Sequence, residues 1–432
     1  MEIRTKLKPL IASIPKLLIT ISAGILISVV VPLLAYGGKF GFPDVSDKIG
    51  VLIDQLPQYM TDEQVRFAAR HYLGSQKLPL SLTKRLRKYN RNFVVLHYHL
   101  GIWQQQPNHQ FIIDGQRWGN DWDEVARHEN WFWHNERGER VRSSHDGKYL
   151  MNIMEPTFQE YWKSSILKQL QAGAYQAVFL DSSSVDSLQW EVSKVDSRLA
   201  GMSARGRTFP ELGGRTWSKA YELFMKELTD SLERGGFAAL PNIGAQITTW
   251  DNTDYFTTSS GAFMENAFMT RSAEDWKMAA RRTIELIGRE KIVLFQPYLK
   301  HDSDIEARIY YLACYLLLKG EYSYICYFAR SHLSWYPEFN VQLGSPLQRI
   351  IRLEDIQVED GLYRRKFVKG EVWVNPTGEP KRVRLDGSYW KVIPEGGGPV
   401  NRADTEPGKL RYEKVSEVVL PRWSGTVLLR NP

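Results

Sequence analysis

Gln176-Ala177-Val178-Phe179-Leu180-Asp181-Ser182-Ser183-Ser184 is the stretch that decides the fold. Its apolar run, Ala177 to Leu180, is bounded on both sides by polar residues, the pattern of a strand buried on both faces. The run ends in an acid. Barrels and open α/β sheets carry their chemistry at such C-terminal strand ends. A second reading stays open from these residues alone, in which Asp181 caps the next helix or turn. Ala262-Phe263-Met264-Glu265-Asn266 repeats the design, an apolar run closed by Glu265.

Working outward, helical patterns alternate with short apolar runs. Thr61 is placed to cap a helix opening at Asp62, and Ser81 to Tyr89 reads as a basic helix. Pro156 to Gly173 carries Phe158, Trp162, Ile166 and Leu170 on one stripe, and Trp217 to Leu232 carries a second such stripe. Helices are also expected over 273–287 and 304–318, the latter apolar nearly all round and so well buried. Strands are expected near Val51, Tyr72, Val94, Val178, Ala238, Phe263, Val293 and Tyr324. Eight strands with helices between them predict an α/β fold, a (β/α)8 TIM barrel over residues 48–345. After Pro346 short alternating runs with Gly and Pro turns predict a small C-terminal antiparallel β domain over 346–432.

The N-terminus differs from everything after it. Leu17 to Tyr36 holds no charged residue and just reaches the length that spans a bilayer. Basic residues precede it, so the reading for residues 1–39 is a cytoplasmic basic stub and a transmembrane anchor, with the rest of the chain extracytoplasmic. A cleaved signal is the alternative, although Leu33-Leu34-Ala35 matches a cleavage site poorly. The formal net charge is +7. Five basic residues against Glu2 put +4 of that in the leader, which leaves +3 on the remaining chain and no charge argument for nucleic acid. Two cysteines, Cys314 and Cys326, both in apolar surroundings, read as free buried thiols.

In a barrel every C-terminal strand end faces one rim. That rim would hold His97, His99, Asp181, Asn242, Glu265, Asn266, Gln296 and Tyr298, with Asp251 on the loop after Asn242 and Trp103 in the Trp-rich loop 101–148. Asp181 and Glu265 are the candidate catalytic pair. Glycosidic cleavage needs one protonated carboxyl for the leaving oxygen and one ionised carboxyl as nucleophile or base. Glu265 could instead be a structural acid, paired with Arg271. His97 and His99 share one strand face, and two ligands without an obvious third favour hydrogen bonding over metal. The loop tryptophans are candidates for stacking on sugar rings or for packing the loop down. No cofactor and no metal is expected.

Several blocks also resemble a known family. His71-Tyr72-Leu73-Gly74-Ser75-Gln76-Lys77, Val95-Leu96-His97-Tyr98-His99-Leu100-Gly101, Met151-Asn152-Ile153, Val178-Phe179-Leu180-Asp181, Phe263-Met264-Glu265-Asn266, Trp335-Tyr336-Pro337-Glu338 and Val374-Asn375-Pro376-Thr377 are similar to the blocks of the hypothetical glycosyl hydrolase family 15 type. The resemblance implies a TIM barrel distantly similar to endo-α-1,4-polygalactosaminidase, with Asp181 and Glu265 as its catalytic pair. His99 stands where an Arg is more usual in that group, and the Trp-rich insertion is long; both bear on substrate specificity.

The leading expectation is therefore an extracytoplasmic glycoside hydrolase acting on a polysaccharide. A glycan-binding or polysaccharide-assembly protein on the same scaffold is the alternative from another class, because a fold does not fix a function. A deacetylase using His97, His99 and an acid around a metal is a third.

Overall fold

The computed structural model describes residues 38–432 except 58, 107–111, 114–115, 118–120, 174, 184–187, 189–191, 193–195, 200–205, 245–254, 329–331, 360 and 403–404. The apolar run Leu17–Tyr36, Trp118, Asp251 and Asp254 lie outside the described residues. Among the described residues no helix is long and apolar enough to cross a membrane.

Strand and helix alternate as the periodicity predicts. β1 is Leu52–Gln55, β2 Gly74–Gln76, β3 Val94–Leu100, β4 Ala177–Asp181, β5 Ala238–Pro241, β6 Gly261–Glu265, β7 Ile292–Gln296 and β8 Ser323–Ile325. The longer helices are α1 Asp62–His71, α2 Leu80–Tyr89, α3 Pro156–Ala172, α4 Trp217–Arg234, α5 Ala273–Gly288 and α6 Ile305–Leu318. α1 starts where expected: Thr61 and Gln64 form a reciprocal capping box. It also runs through His71, so β2 begins later than the apolar His71–Leu73 run suggests. α2 begins at Leu80, after Pro79 and without a side-chain cap.

All pairings among β1 to β8 are parallel. The eight strands form two sheets, one ordered β5-β4-β3-β2-β1 and the other β6-β7-β8. The expected single eight-stranded ring is thus resolved as two parallel sheets. Their edges meet through one parallel bridge at each seam, Asn242 with Phe263 and Val51 with Ile325. The strands are short and end within a residue or two of these bridges, so no continuous ladder develops there.

The C-terminal segment forms a six-stranded antiparallel sheet. Its strands are β9 Gln357–Glu359, β10 Leu362–Phe367, β11 Gly370–Asn375, β12 Lys381–Glu395, β13 Lys409–Leu420 and β14 Ser424–Leu429, in the order β9-β10-β11-β14-β12-β13. α6 packs against β14, β11 and β10 on this side. Every residue from Tyr310 to Leu318 is buried, which explains why that helix shows no polar face. At its first turn the Arg308 guanidinium grips Glu338 through two bonds of 2.7 and 2.6 Å, both side chains fully buried. Removing one partner of such a pair costs about 3–5 kcal/mol.

Candidate active site

The parallel strands bring their C-terminal ends together, and three of them end on or next to a carboxylate. β4 ends at Asp181 and β6 at Glu265, as the two apolar runs predict. Asn242, one residue past β5, joins them. Its Nδ2 donates to Asp181 Oδ1 at 3.0 Å and to Glu265 Oε2 at 2.7 Å. A primary amide nitrogen carries two N–H groups, one for each acid. The Asn242 Oδ1 accepts from the Gly244 amide at 3.2 Å, which fixes which way the amide points. Two bonds from one nitrogen hold Asp181 Oδ1 and Glu265 Oε2 at most about 5.7 Å apart, the 3.0 and 2.7 Å laid end to end.

The backbone around the acids is sharply turned. Lys77, Ser182 and Asn266, each the residue immediately after β2, β4 and β6, have φ of 55°, 51° and 59°. This left-handed region is sparsely populated by residues other than glycine, and such strain gathers at functional sites. Gly101 leaves β3 so close to the Asp181 strand end that a Cβ would lie 2.1 Å from Ser183 Oγ.

Each acid has its own tyrosine. The Tyr98 hydroxyl donates to Asp181 Oδ2 at 2.7 Å, and the Tyr298 hydroxyl donates to Glu265 Oε1. Burial pushes the Tyr98 phenol up, and the Asp181 charge beside it pushes further, so it stays a donor. Burial, then the bond to Glu265, acts likewise on Tyr298. Burial alone would raise the Asp181 carboxyl too, but it is outweighed. The Lys77 charge, the bonds from Tyr98 and Asn242 and the Lys148 charge together hold Asp181 below the ordinary carboxylate value. Lys148 is itself pinned between Asp146 at 2.9 Å and Ser182 Oγ at 2.8 Å.

A third carboxylate stands behind the pair. Asp54 on β1 is 6% exposed, accepts a bond from the Gln76 amide and lies 3.8 Å from the Lys77 ammonium. Burial brings its pKa up to about 6; Lys77 opposes this, and the charges of Asp181 and Glu265 add to it. Lys77 also sits over the Tyr98 ring, 4.8 Å from its centre. The arrangement is therefore three acids, one interposed cation, one shared amide and two phenols, which keep Asp181 ionised beside an Asp54 that burial pushes toward its protonated form.

Residues 87–371 match the sequence profile of hypothetical glycosyl hydrolase family 15, a span that includes β3 to β8 and both acids. The chain belongs to hypothetical glycosyl hydrolase family 15. No curated protein matches it in sequence. Among solved structures it is similar to the glycoside hydrolase domain of PelA from Pseudomonas aeruginosa, at 14% identity and a TM-score of 0.40, covering 66% of this chain and 96% of that one. It is also similar to the trehalose-6-phosphate hydrolase of Bacillus licheniformis, at 10% identity and a TM-score of 0.45, covering 89% and 99%. Likeness at this level bears on neither site nor substrate.

In this family 15 chain, Asp181, Asn242, Glu265 and Tyr298 of the expected residues come together. Gln296, 2% exposed, lies beside them: its strand pairs Glu265 with Gln296, and its side chain bonds to Tyr298 and accepts from Cys326 Sγ at 3.4 Å. Asn266 is exposed on the left-handed turn after Glu265. Asp251 is not described.

Two expectations need correction. His97 and His99 are not brought to the acids. They share a strand face, as period two requires, but it is the face turned to α3, where the His99 ring meets Trp162 at 5.1 Å and His97 meets Tyr175 at 5.1 Å. Burial, then the neighbouring His99, lowers His97 to about 3, a neutral core imidazole. The deacetylase reading loses its ligands with them. Trp103 is 1% exposed, and Trp131 and Trp133 are buried as well, so these rings pack the loop down and offer no open stacking face. Trp103 reaches the site only at second hand, 5.9 Å from the Lys148 ammonium.

Asp54, Gln76, Lys77, Tyr98 and Lys148 escape the sequence reading. Val51-Leu52-Ile53-Asp54 has the same apolar-run-then-acid design as the other two strands, so Asp54 was findable. Tyr98 follows once His97 and His99 are assigned outward. Nothing in the sequence marks Lys148, which arrives from a long loop.

Proposed function

We propose that this chain is an extracytoplasmic glycoside hydrolase that cleaves a polysaccharide with retention, using Asp181 as nucleophile and Glu265 as general acid and base. The observation that carries the reading is the single Asn242 amide bonded to both acids, which brings one oxygen of each within about 5.7 Å, nearer the roughly 5–5.5 Å of a retaining pair than the roughly 6.5–9.5 Å of an inverting one. The ionised Asp181 attacks the anomeric carbon while Glu265 gives its proton to the departing oxygen. Glu265, now a carboxylate, then takes a proton from the water that displaces Asp181, restoring both groups.

The eight parallel strands, bridged at both seams, support a closed (β/α)8 barrel over 48–345 with the C-terminal sheet as a bracing β domain over 346–432. The uncharged run Leu17–Tyr36 behind basic residues supports a membrane anchor or an export signal. The test is to assay the full chain on a panel of bacterial exopolysaccharides beside Asp181→Asn and Glu265→Gln. Both variants are expected to fold and to lose cleavage by about a thousandfold or more. Retained cleavage in either removes that residue from the chemistry. Glycan binding without cleavage by the unaltered chain favours a binding protein.

A further inference from the structure

At the opposite end of the parallel strands from the acids lies a cavity of about 350 Å³. Lys291 and Tyr322, the residues that lead into β7 and β8, form one wall. The final turns of α5 and α6 and the segment 345–350 form the others. Its apolar side is Ile284, Ile287 and Leu318, and its rim carries Leu347, which is 57% exposed. A pocket of this size with a few fixed polar groups is the usual form of a small-molecule site.

Its buried charged groups are two cations, while Glu290, Glu321 and Arg349 line it from exposed positions and Lys291 from a half-buried one. Lys319 and Arg365 both line the cavity and both are nearly inaccessible. Lys319 Nζ donates to the carbonyls of Val45, Ser46 and Lys48, none more than 3.0 Å away. Arg365 Nη1 donates to the carbonyls of Leu316, Leu317 and Lys319 at 3.3, 3.2 and 2.7 Å, closing the end of α6. Its Nε is buried with no partner. Burial, then the charge of Arg365, brings the Lys319 ammonium down to about 7; Asp44 and Asp47 oppose this only from a distance. The helix end offsets part of the charge, but a buried pair of like charges with no carboxylate bound to either among the described residues is a costly arrangement. Arg308 shows the contrast: equally buried, it is given Glu338 on two bonds.

We propose that this cavity is a second ligand site, taking a small organic anion: a phosphate or carboxylate head against Arg365, with the Lys319 charge behind it, and an apolar body against Ile284, Ile287 and Leu318. It is separate from the three acids, since β7 lies between Lys291, which lines this cavity and leads into the strand, and Gln296, its last residue, beside Glu265.

Calorimetry on the full chain tests it, with phenyl phosphate as probe, inorganic phosphate as the head alone and benzyl alcohol as the body alone. Saturable binding of phenyl phosphate is expected, tighter than either fragment, and weakened about tenfold or more in Arg365→Gln. Because Arg365 also closes α6, Gly288→Leu is the companion variant. Gly288 lines the cavity and a Cβ there meets nothing within 4 Å, so a leucine is accepted on this wall, away from the bonds of Arg365, and binding should weaken with the fold kept. The site is refuted by no saturable binding, by benzyl alcohol or inorganic phosphate binding as tightly as phenyl phosphate, or by unchanged affinity in both Arg365→Gln and Gly288→Leu. Glu265→Gln should bind the probe normally, so this site and the hydrolase reading stand or fall separately.

Discussion

The strand Val94–Leu100 carries two kinds of polar residue on its two faces. On one face Tyr98 reaches Asp181 and lies under Lys77. On the other, His97 and His99 are packed beneath α3 against Tyr175 and Trp162. The residues are adjacent and all buried, yet only Tyr98 of the three is bonded to one of the acids. Burial alone therefore does not mark a functional polar residue in this fold. What separates the faces is the bond to Asp181, which Tyr98 makes on one side while the imidazoles meet Trp162 and Tyr175 on the other.

The comparison is broken most directly at the amide that holds the charged side together. Asn242→Ala keeps both acids but removes their common donor, so their spacing is no longer fixed. A misplacement on the order of 1 Å can cost about a hundredfold, and kcat/KM on the cleaved glycan should fall by about that much. A fall of less than about threefold would show that the acids are positioned by something else.

On the helix-facing side the expected effect is on stability and not on rate. His97 is lowered to about 3 in the fold, against about 6.5 when unfolded. Between those values the unfolded chain binds more protons, so stability is full above about pH 6.5 and declines as pH falls. By pH 4 the loss is about 3 kcal/mol at most. His97→Leu should flatten this part of the acid-denaturation curve and leave kcat/KM unchanged. A drop in activity with an unchanged acid slope would move His97 to the functional side.

Asp54 sharpens the contrast from the functional side. Its pKa near 6 lies above the unfolded value of about 3.9, so the fold binds the extra proton between these values and loses stability as pH rises through them. Asp54→Asn removes that loss. Urea unfolding should show it more stable than the unaltered chain by about 3 kcal/mol at pH 7.5 and nearly equal at pH 4. Equal stability at both would mean that Asp54 is not the buried acid described here.

Much of this was legible before any coordinates, and what was not has physical causes. The parallel strands and their helices follow from apolar runs alternating with stripes of period 3.6. Asp181 and Glu265 follow from their place at the ends of such runs. The sidedness of His97 and His99 does not, because β3 is buried on both faces and offers no amphipathic contrast to show which side looks inward. Lys77 and Lys148 reach the acids through a left-handed turn and a long loop, and neither leaves a periodic trace. Trp103 misleads for a related reason: an aromatic-rich loop reads alike whether its rings face a groove or fill the space beneath it.

The finest distinction lies between a residue that bonds an acid and one that merely neighbours it on the strand. Tyr98→Phe deletes one hydroxyl and keeps the ring beneath Lys77. Asp181 then loses one of the bonds that hold its carboxyl down, while burial, which pushes it up, is unchanged. A hydrogen bond to a charged group contributes about 1.5–3 kcal/mol, so kcat/KM should fall by roughly tenfold or more. The acid limb of the pH–rate profile should also move to higher pH, since a less stabilised carboxylate stays protonated further up the scale. His99→Phe, one residue along and facing α3, should shift neither the rate nor the limb. If the two variants behave alike, the division of the strand into a chemical face and a packing face fails, and Asp181 is held ionised by Lys77 and Asn242 without help from β3.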